Sequence, residues 1–182
     1  MQVILTDIEG LFILEPIVFG DHRGYFLESY NEKIFSEVVG KKIAFVQDNE
    51  SLSSKNVVRG LHFQKPPFAQ GKLVRVVKGS VLDVAVDLRK KSPTFGKVFT
   101  IELSETNKRQ FWIPEGFAHG FATLEDNTIF QYKCTSYYSP ENEETIKWND
   151  TGLGIDWKII QPIISEKDKK GLPFDEFKSP FD

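Results

Sequence analysis

The sequence is poor in the residues that open most functional readings. It has one cysteine, Cys134, three histidines and one methionine. A lone cysteine excludes an internal disulfide. No apolar run approaches the roughly 18 residues of a membrane-spanning helix. The start, Met1-Gln2-Val3-Ile4-Leu5-Thr6-Asp7, lacks the charged and apolar regions of a secretory leader. A reducing cytoplasm is therefore the expected location. The net charge is −3, and no basic tract marks the chain as a nucleic-acid binder. Neither nucleic acid nor membrane is expected as a partner. An anionic ligand would have to be held by a local group of Arg and Lys.

What is present points to strands. The chain has 182 residues, enough for one domain spanning 1–182 that buries about 70% of its unfolded surface. There are 16 phenylalanines, and Val and Ile are dense between residues 43 and 133, which favours β-structure. Lys72 to Leu88 carries two apolar-rich runs around Lys78-Gly79-Ser80, and this pattern predicts a hairpin turn. After the turn, Leu82, Val84, Val86 and Leu88 alternate with Val81, Asp83, Ala85 and Asp87. Further strands are expected over Val98–Leu103, within Phe111–Leu124, and over Thr128–Thr135. Helical signals are few. Ile34, Phe35 and Val38 have helical spacing within Asn31–Val39. Ser165-Glu166-Lys167-Asp168 resembles a capping box opening a short terminal helix. Many short strands separated by turn signals predict an all-β sandwich or barrel with a few short peripheral helices.

Among groups able to do chemistry, the histidines come first. In Arg59-Gly60-Leu61-His62-Phe63-Gln64, strand alternation puts Gly60, His62 and Gln64 on one face, with Arg59, Leu61 and Phe63 opposite. A glycine beside a histidine leaves room for a ligand, while a hydrogen-bonded structural histidine fits the same pattern. His119, in Phe117-Ala118-His119-Gly120-Phe121, has the same two readings. His22 lies in a turn, where a solvated residue is the plain reading. Tyr132 shares a strand face with Phe130, as a core tyrosine would. Lys72 precedes an apolar strand, Asp168 fits a helix cap, and Cys134 fits a small core residue.

Taken together, ordered motifs carry a resemblance. They are Arg59-Gly60-Leu61-His62-Phe63-Gln64, Lys72-Leu73-Val74-Arg75-Val76, Val81 to Arg89, Ser92-Pro93-Thr94-Phe95-Gly96, Trp112 to Phe121, Tyr132-Lys133-Cys134-Thr135, Trp148-Asn149-Asp150 and Ser165-Glu166-Lys167-Asp168. From about Pro16 to Asp168 the chain resembles the dTDP-4-dehydrorhamnose 3,5-epimerase family of nucleotide-sugar enzymes. The resemblance implies a cupin double-stranded β-helix, or jelly-roll barrel, with residues 165–182 folding back over it. It implies a homodimer whose subunits exchange N-terminal strands, a dTDP-linked 4-keto-6-deoxy sugar as substrate, and no cofactor. His62 would be the general base with Asp168 as its partner, Tyr132 the general acid, and Lys72 the stabiliser of an enolate. Arg23, Phe26, Glu28, Gln47, Asp48, Asn49, Arg59, His119, Tyr138, Glu143 and Lys167 occupy positions of substrate contact.

The chemistry is consistent with those roles. Inverting a carbon beside a ketone requires proton removal on one face and return on the other, so two groups are needed. Histidine titrates near neutrality, and a carboxylate on its far nitrogen fixes the tautomer. A single-carbon epimerase on a related sugar fits the same motifs. A metal-dependent cupin would need a second histidine where Gln64 stands, so no tight metal site is expected. A sugar-binding cupin without activity is the remaining alternative. One feature resists regular geometry: Arg59 and His62 are three positions apart, which in a flat strand sends them to opposite faces. Either a bulge intervenes at Gly60, or Arg59 reaches the ligand around an edge or from another subunit.

Overall fold

A computed structural model describes all 182 residues. Its strands are β1 (Gln2–Leu5), β2 (Phe12–Glu15), β3 (Val18–Asp21), β4 (Gly24–Leu27), β5 (Gln47–Ser53), β6 (Val57–Gln64) and β7 (Lys72–Lys78). They continue with β8 (Ser80–Asp87), β9 (Val98–Ser104), β10 (Gln110–Ile113), β11 (Phe117–Thr123), β12 (Thr128–Cys134), β13 (Glu143–Thr145) and β14 (Ile163–Ile164). The single α-helix is α1 (Glu32–Val39), and no helix is long and apolar enough to cross a membrane. One sheet runs β1-β2-β10-β7-β12-β5, and the other runs β13-β6-β11-β8-β9 with β14 parallel beside β6. The two face each other as a cupin jelly-roll barrel. The hairpin β3–β4 pairs with neither sheet.

The hairpin expected at Lys78-Gly79-Ser80 does not form. The strands β7 and β8 meet at Gly79 but do not pair: β7 lies between β10 and β12, and β8 between β11 and β9. Gly79 is the corner where the chain passes from one sheet to the other. Its φ is +77°, and a Cβ there would come within 2.4 Å of the Thr128 hydroxyl. A glycine satisfies a sheet corner as well as it satisfies a hairpin, so local pattern could not separate the two.

Every residue of β8 is buried, and the alternation read from sequence explains why. Val81 and Ala85 point inward to pack with Val74, Phe111, Phe121 and Phe130 between the sheets. Leu82, Val84 and Val86 point outward, where Leu61, Phe63, Trp157, Phe177 and Phe181 cover them. The C-terminal segment thus supplies the outer layer over this sheet. On the other sheet, Phe12, Leu73 and Trp112 are covered by Phe35 of α1. That helix forms where expected, with the Asn31 carboxamide accepting from the Lys33 and Ile34 amides and Gly40 ending it at φ +75°. The terminal helix expected from Ser165 shortens to one 3-10 turn, Asp168–Lys170. Ser165 Oγ does accept from the Asp168 amide at 3.1 Å. Beyond the turn, Gly171 is extended (ψ 146°), with no space for a Cβ against the Ile146–Lys147 backbone, and Leu172 pairs with Thr145 and Lys147.

Asp87 anchors the far end of β8. It accepts from the Arg89 amide and guanidinium and from the Ser92 and Thr94 hydroxyls. Burial alone would raise its pKa, but these bonds hold it at about 2, below the usual 3.8. A depressed carboxylate stabilises the fold above its unfolded pKa, and that contribution disappears as pH falls through the folded value. About 2 kcal/mol follows from a shift of this size. The parent protein is expected to lose its melting-temperature advantage over Asp87→Asn as pH drops from about 4 to about 2. Thermal melts across that range check it, and an advantage that persists undiminished at the acid end would exclude the effect.

Candidate active site

Beside the apolar core, the interior holds a polar cavity of about 680 Å³, within the range of small-molecule sites. Its walls come from β5, β6, β7, β11 and β12, with β13 and the segment after β14 at the mouth.

Strand β6 carries the central group. Opposite it on β11, Phe121 pairs with Arg59 and His119 pairs with His62, so three steps on β6 match two on β11. One extra residue is therefore accommodated at Gly60-Leu61, a bulge that returns Arg59 to the same face as His62. Of the two routes open from the sequence, the bulge at Gly60 is the one the structure takes, and it replaces the face that regular alternation gives Arg59. Gly60 has φ +131°, and a Cβ there would lie 2.5 Å from the Gly120 Cα. Close approach of two backbones requires glycine at this position.

Asp168 meets His62 from the C-terminal side. The Asp168 Oδ1 to His62 Nε2 distance is 2.6 Å, and the Gly60 amide donates to Asp168 Oδ2 at 3.3 Å. Asp168 is 3% exposed. Burial works to raise its pKa, but the bond and charge of His62, with the Gly60 and Ser165 contacts, keep it below the ordinary value. The carboxylate is thus ionised and aimed at one imidazole nitrogen. The remaining nitrogen, Nδ1, is the one free to take a proton.

A second histidine–carboxylate pair lies beside the first. His119 Nε2 is 3.0 Å from both oxygens of Asp83, and both residues are buried. Burial pushes Asp83 up and His119 down, each toward its neutral form. Lys72 is close enough for its charge to act on both, and burial lowers its own pKa, with Cys134, Glu143 and Asp83 opposing. Tyr132 on β12 faces the same space. Burial raises its pKa, and the Arg59 charge partly offsets that, so the phenol keeps its proton at neutral pH.

Strand β5 contributes an inward ladder of Gln47, Asn49 and Ser51, with Ser53 accepting from the Arg59 guanidinium at 3.1 and 3.2 Å. The Ser51 hydroxyl is buried without a partner, which directs it at whatever fills the cavity. At the mouth, the Tyr138 hydroxyl donates to Glu143 at 2.7 Å, and Lys167 pairs with the same carboxylate. Burial tends to raise Glu143, but these partners and His62 hold it below its ordinary value.

The cavity therefore gathers His62, Tyr132, Lys72, Asp168, Gln47, Asn49, Arg59, His119, Tyr138, Glu143 and Lys167. It does not gather four other residues expected at the substrate. Asp48 points to the opposite face of β5 and pairs with Lys133 at 2.9 Å, because neighbours on a strand face opposite ways. Arg23 pairs with Asp21 in the β3–β4 turn, Phe26 is exposed on β4, and Glu28 is exposed just beyond it. Sequence reasoning missed Asp83, Ser51, Gln64 and Gln70 as parts of this site. For Asp83 a signal existed: a carboxylate between Val81 and Ala85 on one face of a strand. Gln64, at the position of a cupin metal-binding histidine, spends its amide on backbone. It donates to Phe68 O and Tyr137 O and accepts from the Ser139 amide. No three His, Cys, Asp or Glu side chains converge as a metal-binding group.

Comparison with known proteins is consistent across the chain. The family model described as dTDP-4-dehydrorhamnose 3,5-epimerase matches residues 5–176. A dTDP-4-dehydrorhamnose 3,5-epimerase from Salmonella typhimurium is 59% identical over 169 residues, covering 92% of each chain. A crystal structure of dTDP-6-deoxy-D-glucose-3,5-epimerase from Legionella pneumophila, in complex with dTDP-4-keto-L-rhamnose, superimposes with a TM-score of 0.94. It is 49% identical and covers 97% of this chain and 94% of that one. A 3'-monoepimerase from Streptomyces bikiniensis, in complex with dTDP-quinovose, gives a TM-score of 0.89 at 31% identity, covering 93% and 86%.

The bulge makes Gly60 a stringent position. Gly60→Ala is expected to lower stability by about 3 kcal/mol or more, since neither the positive φ nor the 2.5 Å approach accommodates a methyl group. Gly40→Ala, at a positive φ with open space around it, is the control with a smaller loss. Chemical denaturation of both variants checks the order, and equal losses would contradict the packing requirement.

Proposed function

The chain belongs to the dTDP-4-dehydrorhamnose 3,5-epimerase family, and we propose that it inverts C3 and C5 of dTDP-4-dehydro-6-deoxy-D-glucose to give dTDP-4-dehydro-L-rhamnose, a step of dTDP-L-rhamnose biosynthesis. It is an isomerase. The observation that carries the assignment of roles is the 2.6 Å bond between His62 and the ionised, buried Asp168 on the wall of the cavity shared with Lys72 and Tyr132.

In this reading His62 donates its Nε2 proton in the bond to Asp168 and uses Nδ1 as the base. Nδ1 takes the proton from the carbon next to the C4 ketone. The electron pair of that C–H bond forms a C=C bond, and the carbonyl electrons move onto the C4 oxygen. The imidazolium left behind is stabilised by the Asp168 carboxylate. Lys72 supplies positive charge to the developing oxyanion, an effect of about 3 kcal/mol for a well-placed donor. Tyr132 then gives its phenolic proton to the carbon from the opposite face, and the enolate returns to a ketone. Exchange with solvent resets both groups, and the cycle repeats at the second carbon. Proton transfer on either face uses side chains alone, so no metal or cofactor is needed. Arg59 and Lys167 are the cations for the diphosphate, and Tyr138 offers an aromatic face to the base. His119, Gln47, Asn49 and Glu143 complete the lining.

The full unit in this reading is a homodimer of single cupin-type domains, residues 165–182 folding back over each barrel, working in the cytoplasm. The free thiol of Cys134 fits a reducing compartment. Support for the dimer comes from the unpaired β3–β4 hairpin, which leaves Ile17, Phe19, Tyr25 and Phe26 exposed, together with Leu5 and Leu52. Apolar patches of this kind mark interaction surfaces. Exchange of the N-terminal strands would carry Arg23, Phe26 and Glu28 of one protomer toward the cavity of the other, with Asp48 at the junction. Sedimentation of the purified protein should give a dimer, and Phe19→Asp should shift it toward monomer with reduced activity. A monomeric and fully active parent would remove this part of the reading.

The chemistry is tested in heavy water with the 4-keto substrate. The parent should exchange two sugar protons, at C3 and C5. His62→Asn should abolish exchange at both, while Tyr132→Phe should retain exchange but form little inverted product. Likeness to a 3'-monoepimerase keeps a second reading open, inversion at one carbon only. Exchange confined to C3 would favour it, and no exchange at either carbon would refute both.

A further inference from the structure

Residues 136–139 connect β12 to the 3-10 turn Pro140–Asn142 and have no regular structure of their own. Such a segment ordinarily has its backbone groups in water and moves freely. Here three glutamines hold it. Gln70 donates to the Ser136 carbonyl at 2.8 Å, and Gln64 donates to the Tyr137 carbonyl at 3.1 Å. Gln47 accepts from the Tyr138 amide at 3.0 Å, and Gln64 accepts from the Ser139 amide at 2.8 Å. Four consecutive residues are each fixed by a glutamine side chain, and the glutamines come from separate places: the start of β5, the end of β6, and the β6–β7 loop. The adjoining Thr135 is tied to Gly71 by two further bonds.

The part of this segment that faces the cavity is Tyr138. Its backbone is held by Gln47, its neighbours on both sides by Gln64, and its hydroxyl by Glu143. We propose that Gln64 and Gln70 are positioning residues that pre-order Tyr138 as a rigid aromatic lip, so that the nucleotide end of the substrate binds without first ordering the loop. Gln64 thereby uses a cupin ligand position for binding rather than for chemistry. The inference rests on the reading that Tyr138 contacts the nucleotide. Pre-ordering a contact surface improves affinity because the cost of ordering it is not incurred on binding. Neither glutamine touches the reacting carbons in this account, so the effect falls on KM and not on kcat.

The experiment compares steady-state kinetics of Gln70→Ala, Gln64→Ala, Tyr138→Ala and the double variant Gln70→Ala/Tyr138→Ala with the dTDP-linked 4-keto sugar, with calorimetric binding of dTDP alone. Gln70 is the half-exposed member, so its variant keeps the test available if the buried Gln64→Ala does not fold. Gln70→Ala is expected to raise KM, and to weaken dTDP binding, by about fivefold to tenfold with kcat within about twofold, the size of one or two lost hydrogen bonds. In the Tyr138→Ala background the same change is expected to add nothing, because the residue it positions is gone. Additive losses in the double variant, or a fall in kcat with KM unchanged, would overturn the inference. A Tyr138→Ala variant with parental KM and dTDP affinity would instead remove Tyr138 from the binding reading, and the positioning role with it.

Discussion

A 2.6 Å hydrogen bond between His62 and Asp168 joins residues 106 positions apart, and much of the structure is arranged to hold it. On the Asp168 side, β14 lies parallel to Val57–Val58, and Leu172 pairs with the β13 end, so the chain is anchored both before and after the turn that carries the carboxylate. Phe177 and Phe181 pack on Phe63, the residue after His62, and extend that anchoring into the core. On the His62 side, the bulge at Gly60 points the Gly60 amide at the same carboxylate. An ionised, buried carboxylate is costly unless it is paired and hydrogen-bonded, and here His62 and the Gly60 amide supply the partners.

The barrel interior is shared between an apolar core and a polar cavity. Phe111, Phe121 and Phe130 belong to the core. Beside them, inward positions of β5, β7, β8, β11 and β12 hold His119, Asp83, Lys72, Tyr132 and the β5 ladder. Burying such groups is unfavourable for stability, and the close mutual pairing of His119 and Asp83 limits the cost. The exposed β3–β4 hairpin is the complementary case, apolar surface left uncovered within one chain. Both departures from the usual inside–outside rule fall where function is proposed, as expected when sites, rather than folding, set residue identity.

Much of this was legible in the sequence because it is local. The strand period of β8, the cap at Asn31 and the break at Pro114-Glu115-Gly116 before β11 are all set by neighbouring residues. The failures share a cause too. At Gly79 the residue type fits both a hairpin and a sheet corner, and only strand partners decide between them. At Ser165 the capping signal was correct, yet Gly171 meets Ile146 and ends the helix after one turn. Alternation alone put Arg59 opposite His62, and the bulge at Gly60 that the sequence left as one of two routes could be chosen only against β11. The three glutamines that hold residues 136–139 carry no sequence signature, since they come from three separate segments.

The amino-acid sequence by itself determined which groups are available: three histidines without a second one at position 64, a strand-rich chain with strong alternation, and motifs of one enzyme family in order. The tertiary structure decided which of those groups meet. Hydrogen bonds act only within about 3 Å, and that condition is met by the bulge at Gly60, the return of the C-terminal segment and the pairing of β6 with β11. Those are contacts between residues far apart in the chain, which no local period encodes. They turn a histidine with two readings into one with a carboxylate, a lysine and a tyrosine around a single cavity.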